Sequence, residues 1–246
     1  MSHEENLWRI QKFLAHAGVC SRRSAEKLIV EGRVEVDDKI VTELGAKINP
    51  SINKIKVDGK AIRLKDHFKY YILNKPPGFL TTLSDPYGRP TIREFLSDID
   101  ERVYPVGRLD KNSQGLLLLT NHGELSYRLL HPKFKVPKTY VVTVTGMPKK
   151  KSIEKFKTGI EIEKNILARA KEIKCISQSK KSSTYKIVLT EGRKRQIRYM
   201  FRAIGHKVLK LIRTKMGPLS LGDLRPGEIR NLNEEEIKEL LKAVNL

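Results

Sequence analysis

The stretch Tyr104-Pro-Val-Gly-Arg-Leu-Asp-Lys-Asn-Ser-Gln-Gly-Leu-Leu-Leu-Leu-Thr-Asn121 decides how this chain folds and where its chemistry lies. Asp110 follows a Gly107-Arg108-Leu109 turn and precedes the run Leu116 to Leu119, so one acid stands where an exposed loop meets a buried strand. A loop residue anchored on a rigid element is reachable and still fixed. Arg108 and Asp110 are two apart, so an extended backbone projects both to one side and turns Leu109 into the core. A guanidinium nearby favours the ionised carboxylate. Alone, an Arg-x-Asp triplet is more often an idle surface ion pair.

Downstream, Asn121-His122-Gly123 predicts a turn into a helix over 124–130, and the β-branched and aromatic run Lys138 to Val144 predicts a strand. Tyr140 in that strand has the pattern of a core aromatic. Between Lys149 and Lys181 only a helix near 152–156 and strands near Ile160 and Ile173 are legible. Tyr185 to Leu189 predicts another strand, and Glu191-Gly192 turns it into Arg193-Lys-Arg-Gln-Ile-Arg-Tyr-Met-Phe-Arg-Ala-Ile-Gly205. There Ile197, Met200, Phe201 and Ile204 form one helix face, while Arg195, Arg198 and Arg202 line another. Val208 to Leu211 reads as a strand, and 234–244 as a closing helix. Upstream, Tyr70 to Leu73 is a strand running into a rigid Lys75-Pro-Pro-Gly78 turn, and Asp85-Pro-Tyr-Gly-Arg-Pro-Thr91 is a second turn that holds an arginine on a loop.

Residues 7–65 read as a small module, and 69–246 as a larger domain. Ile10, Phe13, Leu14 and Ala17 follow the spacing of a buried helix face that Gly18 stops. Ser21 is an N-cap for a second helix, with face Ala25, Leu28 and Ile29 and stop Gly32. A hairpin follows, Val34 to Val36 and Ile40-Val41 around Asp37-Asp38, then a short strand Ile55 to Val57. The change of pattern over 61–70 predicts a linker.

The chain carries 246 residues and a formal charge of +21, far beyond what solubility needs, which is the electrostatic footprint of a polyanion partner. Residues 1–65 hold 13 Lys and Arg against 9 Asp and Glu, so +17 falls on 66–246 and both parts are expected to touch the polyanion. The longest uninterrupted apolar run is Leu116 to Leu119, too short for a bilayer, and Met1-Ser-His-Glu-Glu is no secretory signal, so a cytoplasmic protein without a membrane partner is expected. Cys20 and Cys175 lie far apart and the six histidines lack metal-site spacing, so no metal and no cofactor is expected.

The whole stretch 104–121 resembles the signature of the pseudouridine synthases of the RsuA/RluB branch: Gly-Arg-Leu-Asp, Ser or Thr, then Gly-Leu-Leu-Leu-Leu-Thr-Asn. The string from Glu191 to Val208 matches that branch's second long motif, and Leu14 to Val34 resembles an S4 RNA-binding domain. Two departures stand out: His122 replaces the usual Asp, and Asp38-Lys39 stands where Asn-Gly is usual. The resemblance implies an α+β protein, an S4-like αα-β module followed by a synthase domain with a central mixed, mainly antiparallel sheet flanked by helices. It implies isomerisation of a uridine in ribosomal RNA, free or in a pre-ribosomal particle, with Asp110 as the catalytic aspartate, whether nucleophile, base or charge stabiliser, and Tyr140 as the stacking aromatic.

By the same resemblance Arg198, with Arg195 its rival, pairs with Asp110, and Leu209 or Leu211 lies against the target base. Arg108 beside Asp110 would fill the space the extruded nucleotide leaves or hold the backbone. In the S4-like module Arg22, Arg23 and Arg33, with Arg9 beside them, would bind phosphates. Lys56-Val-Asp-Gly-Lys60 and the Lys138-Thr-Tyr140 motif favour large-subunit over small-subunit RNA. A monomer is expected. A non-catalytic ribosome-assembly factor would share the charge and the S4-like module, but an Asp at a buried border beside Arg costs stability without a task. A hydrolase would want a second carboxylate in a comparable motif, and none is present.

Overall fold

The computed structural model describes residues 7–64, 67–164 and 166–246. Within them the chain divides into two compact units, one up to Phe68 with Asn121–Gly123, the other made of Lys69–Thr120 and Glu124–Leu246.

In the first unit β1 (Trp8–Arg9) runs into α1 (Ile10–His16), and α2 (Arg22–Val30) follows. Ile10, Phe13, Leu14 and Ala17 are all buried, and Gly18 leaves the helix at φ +82°. The Ser21 hydroxyl accepts the Ser24 amide at 3.0 Å, capping α2. β2 (Val34–Val36) and β3 (Lys39–Ile40) form a hairpin whose turn residues, Asp37 and Asp38, sit at φ +50° and +65°. Such two-residue turns favour Asn-Gly because both positions need positive φ. Here the aspartates are held in place, Asp37 by the Lys54 amide and the Asn53 side chain, Asp38 by Lys56.

β4 (Lys47–Ile48) pairs with β1, while β5 (Ile55–Val57) lies between β2 and β6 (Lys60–Ile62). The expected linker over 61–70 therefore begins inside a strand. Asp58-Gly59 turns tightly at φ +50° and +73° and folds β6 back onto β5, a long-range-looking change of composition that is local hairpin geometry. Lys65 and Asp66 of that segment lie outside the described residues.

The second unit is built on one sheet. Its strands are β7 (Tyr70–Lys75), β8 (Tyr104–Pro105), β9 (Gln114–Thr120), β10 (Lys138–Thr145), β13 (Glu172–Gln178), β14 (Ser182–Leu189), β15 (Val208–Met216), β16 (Leu219–Ser220) and β17 (Ile229–Asn231). A separate hairpin pairs β11 (Ile160–Glu163) with β12 (Ile166–Ala168). The order is β13-β14-β10-β15-β9-β7-β17, with β16 on β15 and β8 on β9, and every pairing is antiparallel except β15 with β9. Helices α3 (Gly123–Leu130), α4 (Lys150–Thr158), α5 (Gln196–Ala203) and α6 (Glu234–Lys242) accompany it, giving the expected α+β class with a mixed, mainly antiparallel sheet.

The four leucines of β9 explain why that strand lacks alternation. Leu116 and Leu118 pack with α3 and α6 through Leu125, Leu129 and Leu240, while Leu117 and Leu119 pack with Leu73, Ile92 and Val103. A strand covered on both faces reads as a continuous apolar run. α4 and α5 cover the other half of the sheet, where Phe156 and Phe201 meet Tyr185 and Val142. Among the described residues no helix is long and apolar enough to cross a membrane.

Gly115 makes the parallel join possible. It lies beside Arg213 at φ +117°, and a Cβ there would stand 2.3 Å from the Arg213 carbonyl oxygen. Gly115→Ala is therefore expected to lose about 3 kcal/mol from overpacking and backbone strain together, read as a lower urea midpoint at unchanged m value.

Candidate active site

Asp110 opens a tight turn that ends where β9 starts. The Ser113 amide donates to the Asp110 carbonyl at 3.0 Å, which closes the turn. Just before it, Arg108 is exposed, Leu109 buried and Asp110 half-buried, the alternation expected of an extended segment. Thr81 pins this segment from the side, its hydroxyl accepting the Leu109 amide at 3.2 Å and donating to the Leu109 carbonyl at 2.7 Å.

Two cations hold the turn itself. Lys75, read from sequence as part of a surface turn, is instead the last residue of β7 and wholly buried. Its ammonium donates to the carbonyls of Pro76 (2.8 Å), Lys111 (3.2 Å) and Ser113 (3.0 Å). Burial pushes Lys75 down to about 8, opposed by Asp110. The sequence signal was there: a polar Asn74-Lys75 pair closes an otherwise buried strand just before Pro76-Pro77.

Arg198, on α5, is the second cation. Its Nη2 donates to the Asn112 carbonyl at 2.9 Å and to Ser113 Oγ at 3.4 Å, and Nη1 to the Val208 carbonyl at 3.4 Å. These contacts aim Nε at Asp110, 3.7 Å from Oδ2, and among the described residues Nε itself has no hydrogen-bond partner. The guanidinium is lowered by burial, against the pull of Asp110 and with a further push from Arg195. The pair is close enough for charge to act and too long for a hydrogen bond, so both groups keep bonding capacity facing each other.

Arg195 occupies a different place from the one its helical spacing suggests. It precedes α5 at φ +54°, exposed, rather than lying on the helix with Arg198. Left-handed backbone costs an arginine roughly 1–2 kcal/mol, and a buried Gln196 holds it there: Nε2 donates to Glu191 at 2.7 Å and Oε1 accepts the Arg193 amide at 3.1 Å. A cleft of about 460 Å³ runs along α5, lined by Arg195, Arg198, Tyr199, Arg202, His206 and Lys207 among others.

Tyr140, half-buried on β10, packs against the cluster around Phe201. It lies opposite Arg213, which lies opposite Gly115, so one cross-strand line runs from Tyr140 to the strand that Asp110 introduces. The two leucine alternatives separate: Leu211 is buried in the core, whereas Leu209 is 54% exposed. Two buried cations that sequence reading passed over belong to this region, Arg213 on the line itself and Lys138 two residues before Tyr140 on β10. Arg213 donates through Nε to the Leu116 carbonyl at 2.8 Å; among the described residues its Nη2 has no hydrogen-bond partner, and Lys138 reaches only the Val136 carbonyl at 3.3 Å. Burial, reinforced by Arg213, pushes Lys138 down to about 8.

In the first unit Arg9, Arg22 and Arg23 are exposed, the last two in the opening turn of α2, which has no acidic side chain. Arg33 is engaged instead: its fork binds Asp58 through two bonds of 2.8 Å, and Glu31 takes a third at 3.2 Å.

The chain matches known protein families in both of its units. The family model for RNA pseudouridylate synthase matches residues 69–203, and the S4 domain model matches 8–51. The chain is 48% identical, over 97% of its length, to an uncharacterized RNA pseudouridine synthase of Aquifex aeolicus, covering 95% of it. It is 46% identical, over 94% of its length, to ribosomal large subunit pseudouridine synthase B of Bacillus subtilis, again covering 95%. Among solved structures, a crystal structure of a pseudouridylate synthase superposes with TM-score 0.67 at 30% identity, covering 94% of this chain and 99% of that one. The chain belongs to the RNA pseudouridine synthases, isomerases that convert uridine in RNA to pseudouridine.

Lys75→Met leaves the Ser113 and Pro76 carbonyls without their donor and is expected to cost about 2–3 kcal/mol in urea unfolding. Lys138 gives a pH test. With the folded group near 8 and an unfolded lysine near 10.5, the unfolded chain binds the extra proton between those values. The penalty of the buried charge is thus fully present below pH 8 and fades as pH rises to about 10.5. Lys138→Met should gain on wild type most at pH 7, and the gain should shrink by pH 10 in paired thermal melts.

Proposed function

We propose that this protein isomerises one uridine of large-subunit ribosomal RNA to pseudouridine, with the Asp110 carboxylate as the catalytic group. The glycosidic bond between C1′ and N1 breaks, the uracil turns in place, and C1′ joins C5, which gives up its proton while N1 gains one. Positive character grows on C1′ as the first bond lengthens, and Asp110 meets it as nucleophile or as a charge nearby. Arg198 orients the carboxylate, Tyr140 and Leu209 flank the loose base, and Arg108 takes the space that the extruded nucleotide leaves. Arg195 binds the backbone at the mouth of the cleft along α5.

Residues 7–65 serve in this scheme as an S4-type RNA-binding domain, through Arg9, Arg22 and Arg23, and 69–246 as the catalytic domain. Arg33, bound to Asp58, braces the loop before β6 unless RNA displaces that carboxylate. The partner is ribosomal RNA or a pre-ribosomal particle in the cytoplasm, met by a monomer.

The observation that carries the scheme is Arg198 Nε facing Asp110 at 3.7 Å, two residues brought together from motifs 88 positions apart. The preference for the large subunit is supported by the Bacillus subtilis relative's name.

Pseudouridine mapping of ribosomal RNA from cells lacking the gene, treated with purified protein, tests this. Wild type is expected to convert a single large-subunit uridine, and Asp110→Asn to lose at least roughly 10³-fold in rate while still binding the RNA. Binding by both proteins with conversion by neither would make the protein an assembly factor.

A further inference from the structure

Between β7 and β8 the chain makes an excursion over residues 76–103 whose near half is strongly ordered by hydrogen bonds. Leu80 donates to the Pro90 carbonyl at 2.9 Å and receives the Ile92 amide at 3.0 Å, which closes residues 80–91 into a loop with a narrow base. That base is fixed to the active-site segment by the Gly78 amide on the Lys111 carbonyl (2.8 Å) and by the two bonds between Thr81 and Leu109. The loop is thus tied to the residues on either side of Asp110.

At its far end Asp85 organises the tip. Its carboxylate, 5% exposed, accepts the Tyr87 amide and the Arg89 amide, each at 3.1 Å, and the Arg89 guanidinium through Nε and Nη2. The Arg89 fork and these amides hold the carboxyl down at about 2. The result is a hydrogen-bonded tip around a ring left largely open to solvent. Tyr87 is 80% exposed, more than any other large hydrophobic side chain among the described residues, and its ring has the Arg89 guanidinium 5.1 Å from its centroid.

We propose that Tyr87 is a stacking platform for an unpaired base of the RNA substrate, presented by the Asp85–Arg89 tip at a fixed distance from Asp110. An aromatic ring offers every base a π face, and a guanidinium behind the ring strengthens both that contact and the attraction of the backbone. Holding the ring in place beforehand removes part of the ordering cost of binding. An exposed aromatic could also meet a protein, but Arg89 beside it and the +17 carried by residues 66–246 suit a polyanion. The platform selects RNA by the spacing between target uridine and stacked base. This assignment rests on the RNA substrate proposed above.

The test compares wild type, Tyr87→Ala and Tyr87→Phe on protein-free large-subunit ribosomal RNA from cells lacking the gene, with filter-binding Kd and steady-state conversion measured in parallel. Tyr87→Ala is expected to raise Kd and KM about 10-fold with kcat within about 2-fold, and Tyr87→Phe to match wild type. An abasic scan of the unpaired nucleotides around the target should find one position where Tyr87→Ala has no further effect. The ring is exposed, so all three proteins should melt together.

Tyr87→Ala that binds and converts like wild type overturns the inference. So does a defect seen only on ribosomal particles and absent on protein-free RNA, which would make Tyr87 a protein contact. Conversion of no uridine by wild type would instead overturn the proposed reaction, and the Kd comparison would still decide Tyr87.

Discussion

The turn Asp110 to Ser113 is held by its own carbonyl oxygens, and the rest of the second unit is arranged to supply their donors. Lys75 takes the carbonyls of Lys111 and Ser113 from beneath, and Arg198 takes that of Asn112 from α5. A carboxylate can be aimed only as well as the backbone that carries it, and here the backbone is tied to two strands and a helix at once. Neither cation makes a short bond to the carboxylate, so Asp110 keeps its acceptor capacity while lying in their field.

Packing makes that restraint stiff. β9 leaves the turn directly into a core closed on both faces, and a fully buried strand cannot tilt without opening cavities on one side or clashing on the other. Gly115 lets β15 approach β9 in parallel, which sets Arg213 and, beyond it, Tyr140 in line with the start of β9. Buried, unneutralised Lys138 and Arg213 are destabilising in themselves. They neighbour Tyr140, one across the strands and one along β10, in a protein whose substrate is an anion.

Much of this is legible in the sequence. The helix pair of the first unit follows from spacing and caps, and β9 follows from four leucines bounded by turn residues. The meeting of Asp110 with Arg198 was reachable because two long motifs of one resembled family imply it. Other features were misread for identifiable reasons. The change of pattern over 61–70 reads as a linker although Ala61 and Ile62 belong to β6, because a short edge strand leaves little periodicity to read. Periodicity puts Arg195 on a helix face because it cannot see the backbone flip to φ +54° at Arg195 itself, one residue before α5 begins. Lys75 was given to a turn because a buried lysine has no sequence pattern of its own; its partners are carbonyls, which every residue has.

By itself the sequence determined the class of elements, the two-part organisation and a positive surplus suited to a polyanion, since these follow from periodicity, charge and residue type along the chain, while the candidate site residues came from its resemblance to a known family. Only the tertiary structure decided which cations touch the Asp110 turn, which of Leu209 and Leu211 remains available, that Arg33 is already bound to Asp58, and that Tyr87 stands clear of the protein. Those outcomes depend on distances between segments many residues apart. Such distances are set by sheet register and close packing rather than by any local preference of the chain.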